Sequence, residues 1–226
     1  MTLHPILSAS LLALAASASA AAAPVTATSY DMHNGDGQAS GGSYNYWDKA
    51  YNGSGSTTTD NAPLSGGTGD LTDGVITTLN WFQVENGAGT GPYVGWYSVP
   101  TPSVDVKFNF AAGTSVDAIH IHADDSGGAG GVSLPKTVLF TWDTGSTSFS
   151  VVDPSASLAP SWLDFTGLGI TGASFVTVSL GYGNAWIFVD EITFDGAAGV
   201  VPEPSTYALM ALGLAGIGFM ARRRRS

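Results

Sequence analysis

Four groups of residues carry side chains whose types and spacing could do chemistry. His120 and His122 stand two apart, with Asp124 two further on. Strand alternation puts both imidazoles on one face, as a metal pair would need. A hydrolytic metal pair needs further imidazoles downstream, and the only other histidines are His4 and His33, so His120 and His122 are read as a solvated strand face. The run Tyr30 to Gly37 suggests a calcium loop, but counted from Asp31 its third position is His33, its fifth is Gly35, and Asp36 stands where glycine is required. It is read as a loop. Fifteen aspartates leave room for a general acid and a general base. No paired motif stands out, however, and no nucleophile elbow, phosphate loop or dinucleotide fingerprint is present. The chain is expected to be non-catalytic. The fourth group is aromatic: of six Trp and eight Tyr, Trp81, Trp96 and Tyr97 fall in or beside turn-rich segments. Flat rings there can stack on sugar faces, although most buried aromatics serve packing. These three are the candidate ligand contacts.

The elements that must position these groups read as short strands. Val104 to Phe110 puts Val104, Val106, Phe108 and Phe110 on one face, with Asp105, Lys107 and Asn109 on the other. Val116 to Ala123 sets Ile119, Ile121 and Ala123 opposite the two histidines. KTVLFTW, TSFSVV, SFVTVSL and AWIFVDEITF follow, bounded by Gly, Pro, Asp and Ser. Away from the termini no stretch has a helical period. Repeated strands with turn signals predict an all-β, antiparallel β-sandwich over residues 24–196. The segment Asn34 to Gly69 is expected to be mostly loop around one strand near Tyr44 to Tyr51.

Composition narrows the partners. Charged residues are only 11% of the chain, and there is no cysteine, so disulfides, thiol nucleophiles and thiolate metal sites are excluded. Between Pro24 and Gly196 three Lys and no Arg face seventeen acidic residues, a net charge of −14. A phosphate-binding surface needs cations to replace counterions, so nucleic acid is not an expected partner. Divalent cations and neutral polymers are.

Both ends carry addresses. Residues 1–23 read as a signal peptide: Ile6 to Ala18 is apolar and too short for a membrane span, and Ala18-Ser19-Ala20 offers signal peptidase its small residues, with cleavage between Ala20 and Ala23. The basic residue usual near the start is missing. At the other end, residues 197–204 form a linker in which Pro202 and Pro204 impose extended backbone around Glu203. Residues 205–221 carry no charge and as a helix span about 25 Å, slightly short of the ~30 Å hydrocarbon core. Arg222, Arg223, Arg224 and Arg225 then form a basic stop in tail 222–226, which the positive-inside bias keeps in the cytoplasm. This order, headed by Pro202-Glu203-Pro204, resembles the PEP-CTERM sorting signal of Gram-negative bacteria. The resemblance implies export, a transmembrane stage in the inner membrane, cleavage by an exosortase-type membrane enzyme, and a surface or biofilm-matrix role tied to exopolysaccharide.

Leu71 to Trp81, LTDGVITTLNW, and Ala185 to Gly196, AWIFVDEITFDG, resemble two segments of galactose-binding-like (discoidin-type) jelly rolls. The strand pair at 104–123, followed by a Gly-rich loop and Pro135, fits the same order. The resemblance implies a jelly roll and a structural Ca²⁺ shared by the two segments. Carried over, its ligands are Asp73, an oxygen of Thr77 or Thr78, and Glu191, with Asp70 as a further candidate; hard oxygens of this kind suit Ca²⁺. The implied role is a non-catalytic, polysaccharide-associated surface protein. A secreted hydrolase acting on exopolysaccharide and a purely structural matrix component remain the alternatives. If the tail is processed at Pro202-Glu203-Pro204, intact-mass analysis of the mature surface protein will show loss of Arg222 to Arg225; a full-length carboxyl terminus would contradict it.

Overall fold

The computed structural model describes residues 22–38, 41–99, 101–153 and 157–198. The expected signal peptide up to residue 21, most of the linker, the apolar segment 205–221 and the basic tail lie outside the described residues.

Nine strands form: β1 (Ala23–Val25), β2 (Ser29–His33), β3 (Pro63–Gly67), β4 (Val94–Tyr97), β5 (Ser103–Ala123), β6 (Thr137–Trp142), β7 (Gly145–Ser150), β8 (Ser161–Gly181) and β9 (Trp186–Ala197). One short helix, α1 (Trp81–Val84), precedes β4. Every pairing between these strands is antiparallel. The all-β expectation holds.

Two 21-residue strands, β5 and β8, build both layers. The first half of β5 pairs with β2 on one side and with the second half of β8 on the other, which continues through β6 to β7. The second half of β5 pairs with the first half of β8 and with β9, which also takes β4 and β1. The register breaks between Asn109 and Ala118. There Gly113 adopts a φ of 82°, which favours glycine, and the Thr114 hydroxyl donates to Ala111 O at 2.6 Å. The bend folds one half-sheet over the other. Phe108 and Phe110 of one layer meet Phe194 of the other at 4.9 and 5.0 Å, and Phe140 meets Phe165 at 5.1 Å. Apolar burial between these faces is the main stabilising term of such a sandwich.

The alternation expected for β5 is observed: Val104, Val106, Phe108, Phe110, Ile119, Ile121 and Ala123 are all buried. Four local expectations change. No strand forms at Tyr44–Tyr51; Tyr46 and Tyr51 are buried by the packing of an irregular segment, whose Asp48 N donates to Asn34 Oδ1 at 2.9 Å. The strand of that region is β3 instead. Part of the run read as a loop, Ser29–His33, is β2. Strand β8 starts well before the expected SFVTVSL, because antiparallel pairing with β5 carries it through Gly167, Gly169 and Gly172. Finally, His122 is only 4% exposed, not solvated: the Trp162 ring covers it at 4.8 Å, and its Nδ1 meets Asp190 Oδ1 at 2.6 Å. His120 does lie on the partly exposed face, between Asp164 and Asp195 at 2.6 and 3.3 Å, so the two imidazoles serve separate carboxylates.

Candidate functional site

The segment from Asp70 to Tyr93 lies against one end of the sandwich with little regular structure of its own. Its backbone N–H groups are tied to carboxylates from elsewhere. Asp70 N donates to Asp48 Oδ1 at 3.0 Å, Gly74 N to Glu191 Oε2 at 2.8 Å, Thr77 N to Asp190 Oδ2 at 2.8 Å and Trp81 N to Asp124 Oδ2 at 2.6 Å. Tyr93 N donates to Glu85 Oε1 at 2.9 Å, closing the segment on itself. All five acids are buried. A hydrogen bond to an ionised group contributes about 1.5–3 kcal/mol, more than a neutral one.

These carboxylates have no Lys or Arg partner, and the cost is visible in their proton affinities. Burial pushes Glu85 up to about 8, opposed by the Tyr93 N–H and reinforced by the charges of Asp70 and Asp124. Burial pushes Asp70 to about 8, with Asp48 and Asp73 adding to it. Glu191 rises to about 7 through burial, eased by the Gly74 N–H and raised by Asp73 and Asp190. Asp124 is also raised, chiefly by burial. Asp48, raised by burial, accepts from the Tyr30 hydroxyl.

Asp124 places the first aromatic platform. One carboxylate oxygen takes Trp81 N; the other takes Asn80 Nδ2 and the Ser126 hydroxyl, both at 2.8 Å. Asn80 precedes α1, and its N–H reaches Gln83 Oε1 at 3.3 Å. Trp81 therefore enters its helix at a fixed angle. Its ring lies against Gly130, where a Cβ would come within 2.4 Å of Trp81 Cζ2, so the close approach requires glycine. Tyr44 and Tyr46 approach the ring edge-on at 6.2 and 6.1 Å. Trp186 bridges from Tyr46 at 5.2 Å to Tyr97 at 5.0 Å. These rings, with Gly41 to Ser43, line an open cleft of about 420 Å³.

The three candidate ligand contacts separate. Trp81 and Tyr97 share this cleft, both half-buried. Trp96 does not face it: it is 3% exposed within the main core, and its Nε1 donates to His33 O at 2.9 Å. Alternation along β4 sends Trp96 and Tyr97 to opposite faces. Sequence reasoning missed Tyr44 and Trp186, although Trp186 is the second residue of the quoted segment Ala185 to Gly196. It also missed Asp48, Asp124, Asp190 and Glu85 as anchors of the segment; each bonds through space rather than through local spacing.

Of the candidate calcium ligands, Asp70, Asp73 and Thr78 line one open cavity of about 550 Å³ together with Thr77. Glu191 does not line it but a separate cavity, and reaches the segment through Gly74 N. Asp73 Oδ1 accepts from Val75 N at 2.8 Å. Among the described residues no three His, Asp or Glu side chains converge as a metal cage. Backbone carbonyls would have to supply most of the six to eight oxygens Ca²⁺ takes. The donor set fits in kind, all oxygens and crowded negative charge; a buried Thr72 Oγ1 without a hydrogen-bond partner lies beside Glu191 on a neighbouring cavity.

Residues 27–196 match the DS-like domain family of discoidin domain-containing receptors 1 and 2. The chain belongs to the discoidin-like domain family. Residues 200–225 match the PEP-CTERM protein-sorting motif, which implies export and processing by an exosortase, a membrane enzyme. Among the described residues no helix is long and apolar enough to cross a membrane. Solved structures similar to this discoidin-like domain include the F5/8 type C domain of a Bacteroides fragilis protein, with 9% identity, 78% of this chain and 97% of that one covered, and a TM-score of 0.45. A truncated AlyQ with CBM32 and alginate lyase domains has 11% identity, 82% and 37% coverage, and a TM-score of 0.43. The Streptococcus pneumoniae beta-galactosidase BgaA has 12% identity, 55% and 82% coverage, and a TM-score of 0.38. No curated protein sequence matches the chain.

The buried acids give the discoidin-like domain a pH dependence with a definite sign. Folded Glu85 keeps its proton to about pH 8, whereas an unfolded glutamate releases it near its ordinary value of 4.5. Its contribution is therefore fully present below pH 4.5, falls as pH rises, and is gone above about 8. At ~1.4 kcal/mol per unit the span is of the order of a few kcal/mol. In chelator, Glu85→Gln is expected to flatten the decline in melting temperature between pH 5 and 9; parallel profiles would show that Glu85 is not the titrating group.

Proposed function

We propose that the exported domain is a non-catalytic module that holds a neutral polysaccharide in the cleft between Tyr44, Trp81, Tyr97 and Trp186. The cleft carries the proposal: five aromatic side chains, these four and the more deeply buried Tyr46, around a space of about 420 Å³, with no Lys or Arg on its walls. Aromatic faces suit the C–H faces of sugar rings, and a wall without cations gives an anionic polymer no counter-charge. The sorting motif supports placement at the cell surface or in an extracellular matrix after processing.

Calcium belongs to the same proposal. Asp73 and Glu191, with Thr78 and carbonyl oxygens of residues 70–78, would hold the ion, and Asp70 would adjoin it. When bound it would supply positive charge to a row of acids that lacks any. The role is structural: a tie between the segment and β9.

Two measurements test these readings. Residues 22–198 retained on immobilised neutral exopolysaccharide should release no reducing ends, and Trp81→Ala should reduce retention at least tenfold while the fold persists by circular dichroism. Turnover abolished by one carboxylate substitution would place the protein among hydrolases instead. For calcium, a ligand at a hundredfold excess over its Kd stabilises the native state by about 2.7 kcal/mol. Metal-free protein should therefore gain several degrees in melting temperature on adding Ca²⁺, and Glu191→Gln should lose that gain. An unchanged melting temperature in the wild type would remove calcium from the account.

A further inference from the structure

Tyr97 stands between two cavities. On one side is the aromatic cleft. On the other, a cavity of about 250 Å³ is lined by His33, Asn61, Thr101, Ser103, Asp105 and Tyr182, and Tyr97 lines it too. The Tyr97 backbone is fixed from both directions. Its N–H donates to Asp36 Oδ2 at 2.8 Å, and its carbonyl accepts from the Tyr182 hydroxyl at 3.1 Å. In register it faces Trp186 across β4 and β9, and the two ring centroids lie 5.0 Å apart. A half-buried ring held this way is a ridge that any ligand occupying both cavities must cross.

The two cavities differ in chemistry. The first presents ring faces. The second is lined partly by Trp96, Val99 and Val104, but it adds hydroxyls from Thr101, Ser103 and Tyr182, the Asn61 amide, the Asp36 and Asp105 carboxylates and the His33 imidazole, groups that exchange hydrogen bonds with sugar hydroxyls. Neither wall holds Lys or Arg. Each cavity alone is at or near the lower end of the ~300–1,000 Å³ typical of ligand sites.

Resting on the reading that the aromatic cleft holds sugar, we infer that the site takes the interior of a neutral glycan chain, with successive units on either side of Tyr97, rather than a chain end. A single terminal sugar would fill one cavity and leave the other unused. A chain crossing the ridge uses stacking on one side and hydrogen bonds on the other, and the second contact is made without a further loss of translational freedom.

The experiment uses neutral homo-oligosaccharides of glucose, galactose and mannose, one to six units long, titrated against the folded domain. In whichever series binds, Kd should fall at least tenfold between one and four units, and blocking both chain ends should leave binding of the longer members unchanged. Thr101→Trp fills the second cavity and should remove the gain with length; Asp105→Ala, also at an exposed position, serves if that variant does not fold. Equal Kd at every length, with binding still lost in Trp81→Ala, would overturn the chain-interior reading and leave the sugar site standing. No binding at any length would overturn both.

Discussion

The candidate site depends on one kind of interaction: a backbone N–H donated to a buried carboxylate. Asp48, Glu191, Asp190 and Asp124 take Asp70 N, Gly74 N, Thr77 N and Trp81 N in turn, and Asp36 takes Tyr97 N. The segment has too few apolar residues facing inward, and too little secondary structure, to hold itself. Val75, Ile76, Leu79 and Phe82 all point outward and are about half exposed. Without the acids the cleft would lose the fixed position of Trp81 on one wall and of Tyr97 on the other.

Acids are suited to this work because the groups to be held are donors. An irregular segment strands its N–H groups away from any ladder, and a buried unpaired N–H is costly. A carboxylate has four lone pairs and so takes two or three donors at once, as Asp124 does. The drawback is that the anions are buried side by side, and among the described residues the one imidazole that meets any of them is His122, against Asp190. Burial first, reinforced by that crowding, explains why Asp70, Glu85 and Glu191 all hold protons more tightly than free carboxyls. Two of the three lysines are engaged elsewhere. Lys49 reaches Ala88 O, and Lys107 lies over the Phe175 ring.

What could be read in advance follows from the range of each signal. Alternation is local, so the buried face of β5 was legible from Val104 to Ala123. The contact between Gly74 and Glu191, 117 residues apart, was foreshadowed only because each lies in a recognisable segment. The anchoring roles of Asp48, Asp124 and Asp190 were not legible. An aspartate that bonds a distant N–H has the same neighbours in sequence as one that merely begins a turn. Tyr44 to Tyr51 misled for the converse reason: aromatic residues at near-even spacing look like a strand, but their burial arises from an irregular path pinned by Asn34. Trp96 and Tyr97 stood together in sequence and parted in space, since one step along β4 reverses the face.

Because the grip is on the backbone, it is nearly blind to which side chains the segment carries. Val75, Ile76, Thr78, Leu79 and Phe82 are exposed and donate no bond to the anchoring acids, so they can be exchanged widely without moving the loop. What the anchors do forbid is proline at 70, 74, 77 or 81, since it brings no N–H to the carboxylate waiting there. The end of the sandwich is thus a rigid frame with interchangeable faces, on which a lineage could try new surface chemistries while its scaffold stays as it was.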